Sequence, residues 1–304
     1  MSSKPNGSMT ERRNSRTHDI DRLTTLDMLT LIHQEEKYVK QAIADCLPAI
    51  ARLVDNASAT LHHDGRVVLV GAGASGQAAL QTARDFAPDT HHRVIGLMAG
   101  GAQAQMAEQA RAAADYARGM ADLQAIEFSP RDMLVAVSVS GKTPWTNGAL
   151  RHAWSVGARV ALLTRSRESE AAQIADIVLV ADTGAEVVSG FSEPKARQAQ
   201  VQILNMLATG LAIRTGRVYS NLRVDLQPAS VHWVERQIAV VMAATDCSRE
   251  QAKSALAQGN HHCRTAILML LTGLDAAHAQ ALLAENNGHL RVALNDAQAQ
   301  FAGL

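Results

Sequence analysis

The chain has 304 residues, long enough to bury a substantial core in one large domain or two smaller ones. Its 29 basic and 29 acidic residues cancel, which removes any general electrostatic reason to sit on nucleic acid or an anionic membrane. Aromatic side chains make up 3% of the chain, too few for base-stacking platforms, and the scattered Cys46, Cys247 and Cys263 support neither a disulfide framework nor a zinc site.

Residues 1–18 are rich in Ser, Asn and Arg and poor in apolar side chains, which predicts a disordered tail without the apolar stretch of a signal peptide. From Thr25, apolar residues at helical spacing (Leu26, Leu29, Ile32, Val39, Ile43, Ile50, Val54) predict one or two amphipathic helices, with Pro48 as a break or kink. Short β-branched runs at 66–70, 93–98, 132–139, 158–163 and 177–180 alternate with Ala- and Gln-rich helical segments such as 102–120 and 146–156. That alternation predicts an α/β fold, a doubly wound parallel sheet, over residues 65 to about 215. After Asp225 the strand signal stops. Helices are expected at 231–244, 248–258, 264–272, 275–285 and 289–301, several with Ser, Thr or Asp at the N-cap. The expected organisation is a tail (1–18), an α/β domain with N-terminal helices (19–225) and a small all-helical domain (226–304). With no long uncharged apolar run, a cytoplasmic protein without a membrane partner is expected.

Two loops stand at the carboxyl ends of expected neighbouring strands, where open α/β sheets bind ligands. Gly71-Ala-Gly-Ala-Ser-Gly76 ends one strand and opens a helix, so Gly73, Ser75 and Gly76 are candidates for close backbone approach to an anion at the helix start. It matches GxGxxG. The next strand, however, ends Gly96-Leu-Met-Ala-Gly-Gly101, without the acid that grips the ribose of a dinucleotide, which argues against one. Ser138-Val-Ser-Gly-Lys-Thr-Pro144 offers Ser138, Ser140, Gly141 and Thr143 as phosphate ligands; a Ser- and Gly-rich turn with ordinary capping is the plainer alternative. The doublets His62-His63, His91-His92 and His261-His262 lack a carboxylate or cysteine at ligand spacing, so neither a metal nor another cofactor is assigned.

With both loops placed, the chain from about Ile20 to Leu294 resembles the N-acetylmuramic acid 6-phosphate etherases, a branch of the sugar isomerase (SIS) fold. The resemblance is carried by Thr24-Thr-Leu-Asp-Met28, Ile32-His-Gln-Glu-Glu36, GAGASG, GLMAGG (96–101), SGKTP, GAEVVSG (184–190), Leu204-Asn-Met-Leu-Ala-Thr-Gly210, the stretch from Gly216 to Asp225 and Arg264-Thr-Ala-Ile267. It implies a cytoplasmic homodimer acting on a phosphorylated amino sugar, without metal or nucleotide. The implied reaction is an elimination from the ring-opened sugar, in which two glutamates move protons. The first falls on Asp85, one methylene shorter; the second falls on Ala113, with Glu108 and Asp115 nearby but off its face of the helix. After GAEVVSG the chain keeps the family's Ser192 and Lys195. It has Glu193 in place of an arginine, and Arg197-Gln198 in place of Gly-Thr. Ser192, Lys195 and Glu186 complete the implied substrate set, with Glu186 also a candidate for a relocated base. The second reading is a binding or regulatory protein that keeps the phosphosugar pocket and lacks the etherase chemistry.

Overall fold

The computed structural model describes residues 12–86, 93–190, 192–228 and 230–302, in two compact units, Met1–Thr209 and Gly210–Leu304. The expected pair His91-His92 and residues 1–11 of the expected tail lie outside the described residues.

The first unit opens with helix α1 (Thr25–His62), whose Val39, Ile43, Cys46, Ile50, Leu53, Ala57 and Leu61 form one buried stripe. Thr24 caps it by accepting a hydrogen bond from the Asp27 N-H. Of the one or two helices expected, there is one, and it continues through Pro48. Pro48 and Ala44 both lie on the exposed face, so the Ala44 carbonyl that loses its partner faces water instead of the core. The first two turns leave Leu26 and Leu29 exposed.

Five parallel strands follow: β1 (Val67–Gly71), β2 (Val94–Met98), β3 (Met133–Val137), β4 (Arg159–Thr164) and β5 (Ile177–Val180), in the order β2-β1-β3-β4-β5. Between them run α2 (Gly73–Phe86), α3 (Met106–Ala113), α4 (Tyr116–Ala125), α5 (Pro144–Ser155) and the short α6 (Glu170–Ile174); α7 (Pro194–Arg214) follows β5. β1 and β3 are buried at every position, as strands covered by helices on both faces must be. The sheet turns back on itself between β1 and β3, since the chain goes from β1 outward to β2 and then returns to the other side.

The helical segment expected over 102–120 is made of two helices, α3 and α4. Asp115 ends the first by capping α4, accepting from the Arg118 N-H at 2.9 Å. α4 then lies against α5 through two glycines. A Cβ on Gly119 would collide with the Trp145 carbonyl oxygen, and one on Gly148 with that of Tyr116. Gly119→Ala is therefore expected to destabilise the unit by about 1–3 kcal/mol, read as a lower urea midpoint at an unchanged slope.

Residues 12–18 are not part of a disordered tail. Ser15–Thr17 form a single 3-10 turn, and Asn14 and Thr17 are buried. The segment has few apolar side chains to bury, and hydrogen bonds take their place: Asn14 Nδ2 donates to Glu35 at 2.8 Å, and Thr17 Oγ1 to the Val187 carbonyl at 2.6 Å.

The second unit holds a small antiparallel hairpin, β6 (Val218–Tyr219) with β7 (Leu222–Arg223), turning at Ser220 with φ 54°. The helices α8 (Val231–Thr245), α9 (Arg249–Gln258), α10 (Cys263–Thr272), α11 (Ala276–Glu285) and α12 (Leu290–Ala302) follow. They close over a core that includes Val241, Leu256, Ile267, Leu268 and Leu290. Ser248 and Gln251 form a reciprocal capping box at α9. Among the described residues, no single helix is long and apolar enough to cross a membrane.

Candidate active site

In register, Gly71 at the end of β1 stands level with Val137 at the end of β3. Ala72–Gly76 and Ser138–Thr143 therefore leave the sheet side by side at its switch point, bringing together the two loops singled out in the sequence. Each leads into a helix, α2 and α5, whose free N-H groups and positive dipole ends favour an anion.

The glycines of the first loop have distinct tasks. Gly73 takes φ 54°, in the left-handed region, and nothing lies within 4 Å of where its Cβ would stand, so the turn is open above it. Gly76 instead serves packing: a Cβ there would come within 2.6 Å of the Gly71 oxygen and of Met98 Cγ. Ser75 is buried, and its hydroxyl donates to Gln200 Oε1 on α7 at 2.9 Å, away from the loop's front. In the second loop, Ser138 Oγ accepts from the Gly141 N-H at 3.1 Å and shares a hydrogen bond with Thr143 Oγ1 at 3.1 Å, while Ser140 Oγ accepts from the Lys142 N-H at 3.1 Å. Gly141 adopts φ 67°, with Ser169 directly behind it. Thr143 sits at the N-cap of α5, with Pro144 as the first helical residue and no side-chain cap in place.

A groove of about 680 Å³ runs from the first loop along α2, with Ala74, Gln77 and Gln81 on one wall and Pro194, Arg197 and Gln198 of α7 on the other. Asp85, one turn beyond Gln81 on α2, is exposed and accepts a hydrogen bond from Gln81 Nε2 at 2.7 Å.

Glu186 and Lys195 lie elsewhere, in the support of α7. The Glu186 carboxylate accepts from the Lys195 and Ala196 N-H groups at 3.0 and 3.1 Å, so it caps the helix instead of standing free as a relocated base. Lys195, expected at the ligand, is buried: its Nζ donates to Glu35 Oε2 and to the Ala185 carbonyl, both at 2.9 Å. Arg16 closes the same network, with Nε 2.6 Å from Glu35 Oε1. The hydrogen bond from Arg16, helped by Lys195 and Asn14 against the cost of burial, holds the Glu35 carboxyl down to about 2. Ser192 is exposed just before α7.

Residues 49–154 match the N-terminal SIS domain family of the glucokinase regulatory protein. The chain is 44% identical over 263 residues to the N-acetylmuramic acid 6-phosphate etherase of Klebsiella aerogenes, covering 86% of this chain and 88% of that protein. It is also 44% identical over 266 residues to the etherase of Photorhabdus laumondii, with the same two coverages of 86% and 88%. The chain belongs to the N-acetylmuramic acid 6-phosphate etherase family. Among solved structures, a phosphoheptose isomerase from Francisella tularensis superposes with a TM-score of 0.49 at 19% identity, over 62% of this chain and 98% of that one.

Against the etherase pattern, Asp85 is an accessible carboxyl on the helix that starts at the Gly loop. Ala113, where the resemblance places the second acid, ends α3 and packs on the core of the α/β unit. Of the neighbouring acids, Asp115 caps α4 and Glu108 is exposed in the first turn of α3. Gln200, Arg197 and Glu35 are not singled out by the sequence. Their only signal there is the departure from family text at Arg197-Gln198 and the Glu35-Glu36 pair within a matching stretch.

Proposed function

We propose that the protein is an N-acetylmuramic acid 6-phosphate etherase, a carbon-oxygen lyase that releases D-lactate and N-acetylglucosamine 6-phosphate in cell-wall sugar recycling. The observation that carries this is identity of 44% across 86% of the chain. In the proposed reaction the ring-opened sugar loses its C2 proton to a base and the C3–O bond breaks. Its electron pair leaves with the lactate oxygen, which takes up a proton, and water then adds at C3. Gly73, Gly141, Ser138, Ser140 and Thr143, with the starts of α2 and α5, would hold the 6-phosphate. Asp85 is the one family acid position that still carries a carboxyl, and we assign it the proton transfer. The same reading places the protein in the cytoplasm as a homodimer, and the exposed Leu26 and Leu29 offer a second copy an apolar surface to cover.

Incubation with N-acetylmuramic acid 6-phosphate is expected to release D-lactate above buffer, while calorimetry with either that compound or N-acetylglucosamine 6-phosphate gives heat of binding. Binding without release would select the regulatory reading. No heat with either sugar would refute phosphosugar binding altogether.

A further inference from the structure

Gln200 is 3% exposed and lines the α2/α7 groove. Its Oε1 is held by the Ser75 hydroxyl, which sits in the first turn of α2 beside the Gly loop, and its Nε2 has no hydrogen-bond partner among the described residues. A buried amide donor left unmatched costs on the order of 1–3 kcal/mol, so a built donor in this position marks the place of an acceptor. One helical turn before Gln200 on α7, Arg197 lines the same groove, and its guanidinium makes no hydrogen bond or ion pair with any described residue.

Buried amide and guanidinium are both pure donors toward a ligand, and the guanidinium's charge favours a carboxylate over a neutral carbonyl. The groove begins at Ala74, next to the loop assigned to the phosphate, and Gln200 is a single hydrogen bond from Ser75 of that loop. A sugar anchored there by its 6-phosphate would carry its C3 substituent into the groove. We propose that Gln200 and Arg197 form the subsite for the D-lactyl carboxylate of the substrate and thereby set specificity for the ether over its sugar product; this rests on the phosphosugar reading above.

The test is calorimetry of the full chain with N-acetylmuramic acid 6-phosphate and N-acetylglucosamine 6-phosphate, on the wild type, Arg197→Ala and Gln200→Leu, with a thermal melt of each. The wild type is expected to prefer the lactyl sugar by about tenfold or more, the worth of a charge-assisted hydrogen bond. Arg197→Ala should erase most of that preference while N-acetylglucosamine 6-phosphate binds as before; because Arg197 is exposed, this variant keeps the test decisive even if Gln200→Leu fails to fold. An unchanged preference overturns the subsite. Equal weakening of both sugars also overturns it, placing the acetamide there instead. Loss of binding for both sugars in the wild type itself would instead refute the phosphosugar reading.

Discussion

Asp85→Asn is expected to lower D-lactate release by about 10²–10⁴-fold, the usual worth of a positioned proton-transfer group. The substitution preserves shape, and the amide oxygen it introduces would still accept from Gln81 Nε2. Because Asp85 is exposed, stability should shift by less than about 0.5 kcal/mol, so the loss of rate would be chemical and not structural. Asp85→Glu is the complementary arm. It restores the reach of the family's acid, and since a displacement of about 1 Å costs roughly a hundredfold in rate, this variant should be faster than the wild type. A rate unchanged in the asparagine variant would remove Asp85 from the mechanism.

Glu35→Gln is expected to destabilise the α/β unit by about 3–5 kcal/mol, because it leaves the buried Lys195 ammonium without its counter-charge. Arg16 and Asn14 lose the same anchor. The effect is pH-dependent, and its sign follows from the carboxyl's fall from an ordinary 4.5 to about 2 in the folded chain. A depressed acid contributes its full stabilisation above the unfolded value and loses it as pH falls through the folded one. The wild type should therefore lose stability between about pH 4.5 and pH 2, whereas the glutamine variant, already lacking that contribution, should show a shallower decline. Urea midpoints at about pH 7 and about pH 3 for the two proteins test this directly; parallel declines would contradict it.

The features legible in the sequence are those written in local patterns. The five strands of the parallel sheet and the five C-terminal helices fall within a residue or two of their expected ranges, because β-branched runs and N-cap residues act over a few positions; the two-residue strands β6 and β7 are too short to carry such a pattern. Pro48 leaves one helix or two open for the opposite reason: whether a proline breaks a helix depends on which face it occupies, and that is set by packing. The same division holds at the site. The two loops are visible as glycine and hydroxyl clusters at strand ends. The Ser75–Gln200 bond joins residues 125 positions apart and the Glu35–Lys195 pair residues 160 apart, and no periodicity carries such information. Lys195 reads as a ligand because it sits in a ligand-like motif, yet its ammonium is consumed in holding α7 to α1 and to the anchor of the 12–18 segment.

That anchor bears on how the protein is best produced. A shortened form starting at His18 would look harmless by composition, yet it would discard Asn14 and Arg16, two of the three side chains that satisfy Glu35. Trimming of this kind turns a neutral-looking boundary into the removal of a buried ion network. A purification tag followed by protease cleavage is safest when the cut falls ahead of Arg12.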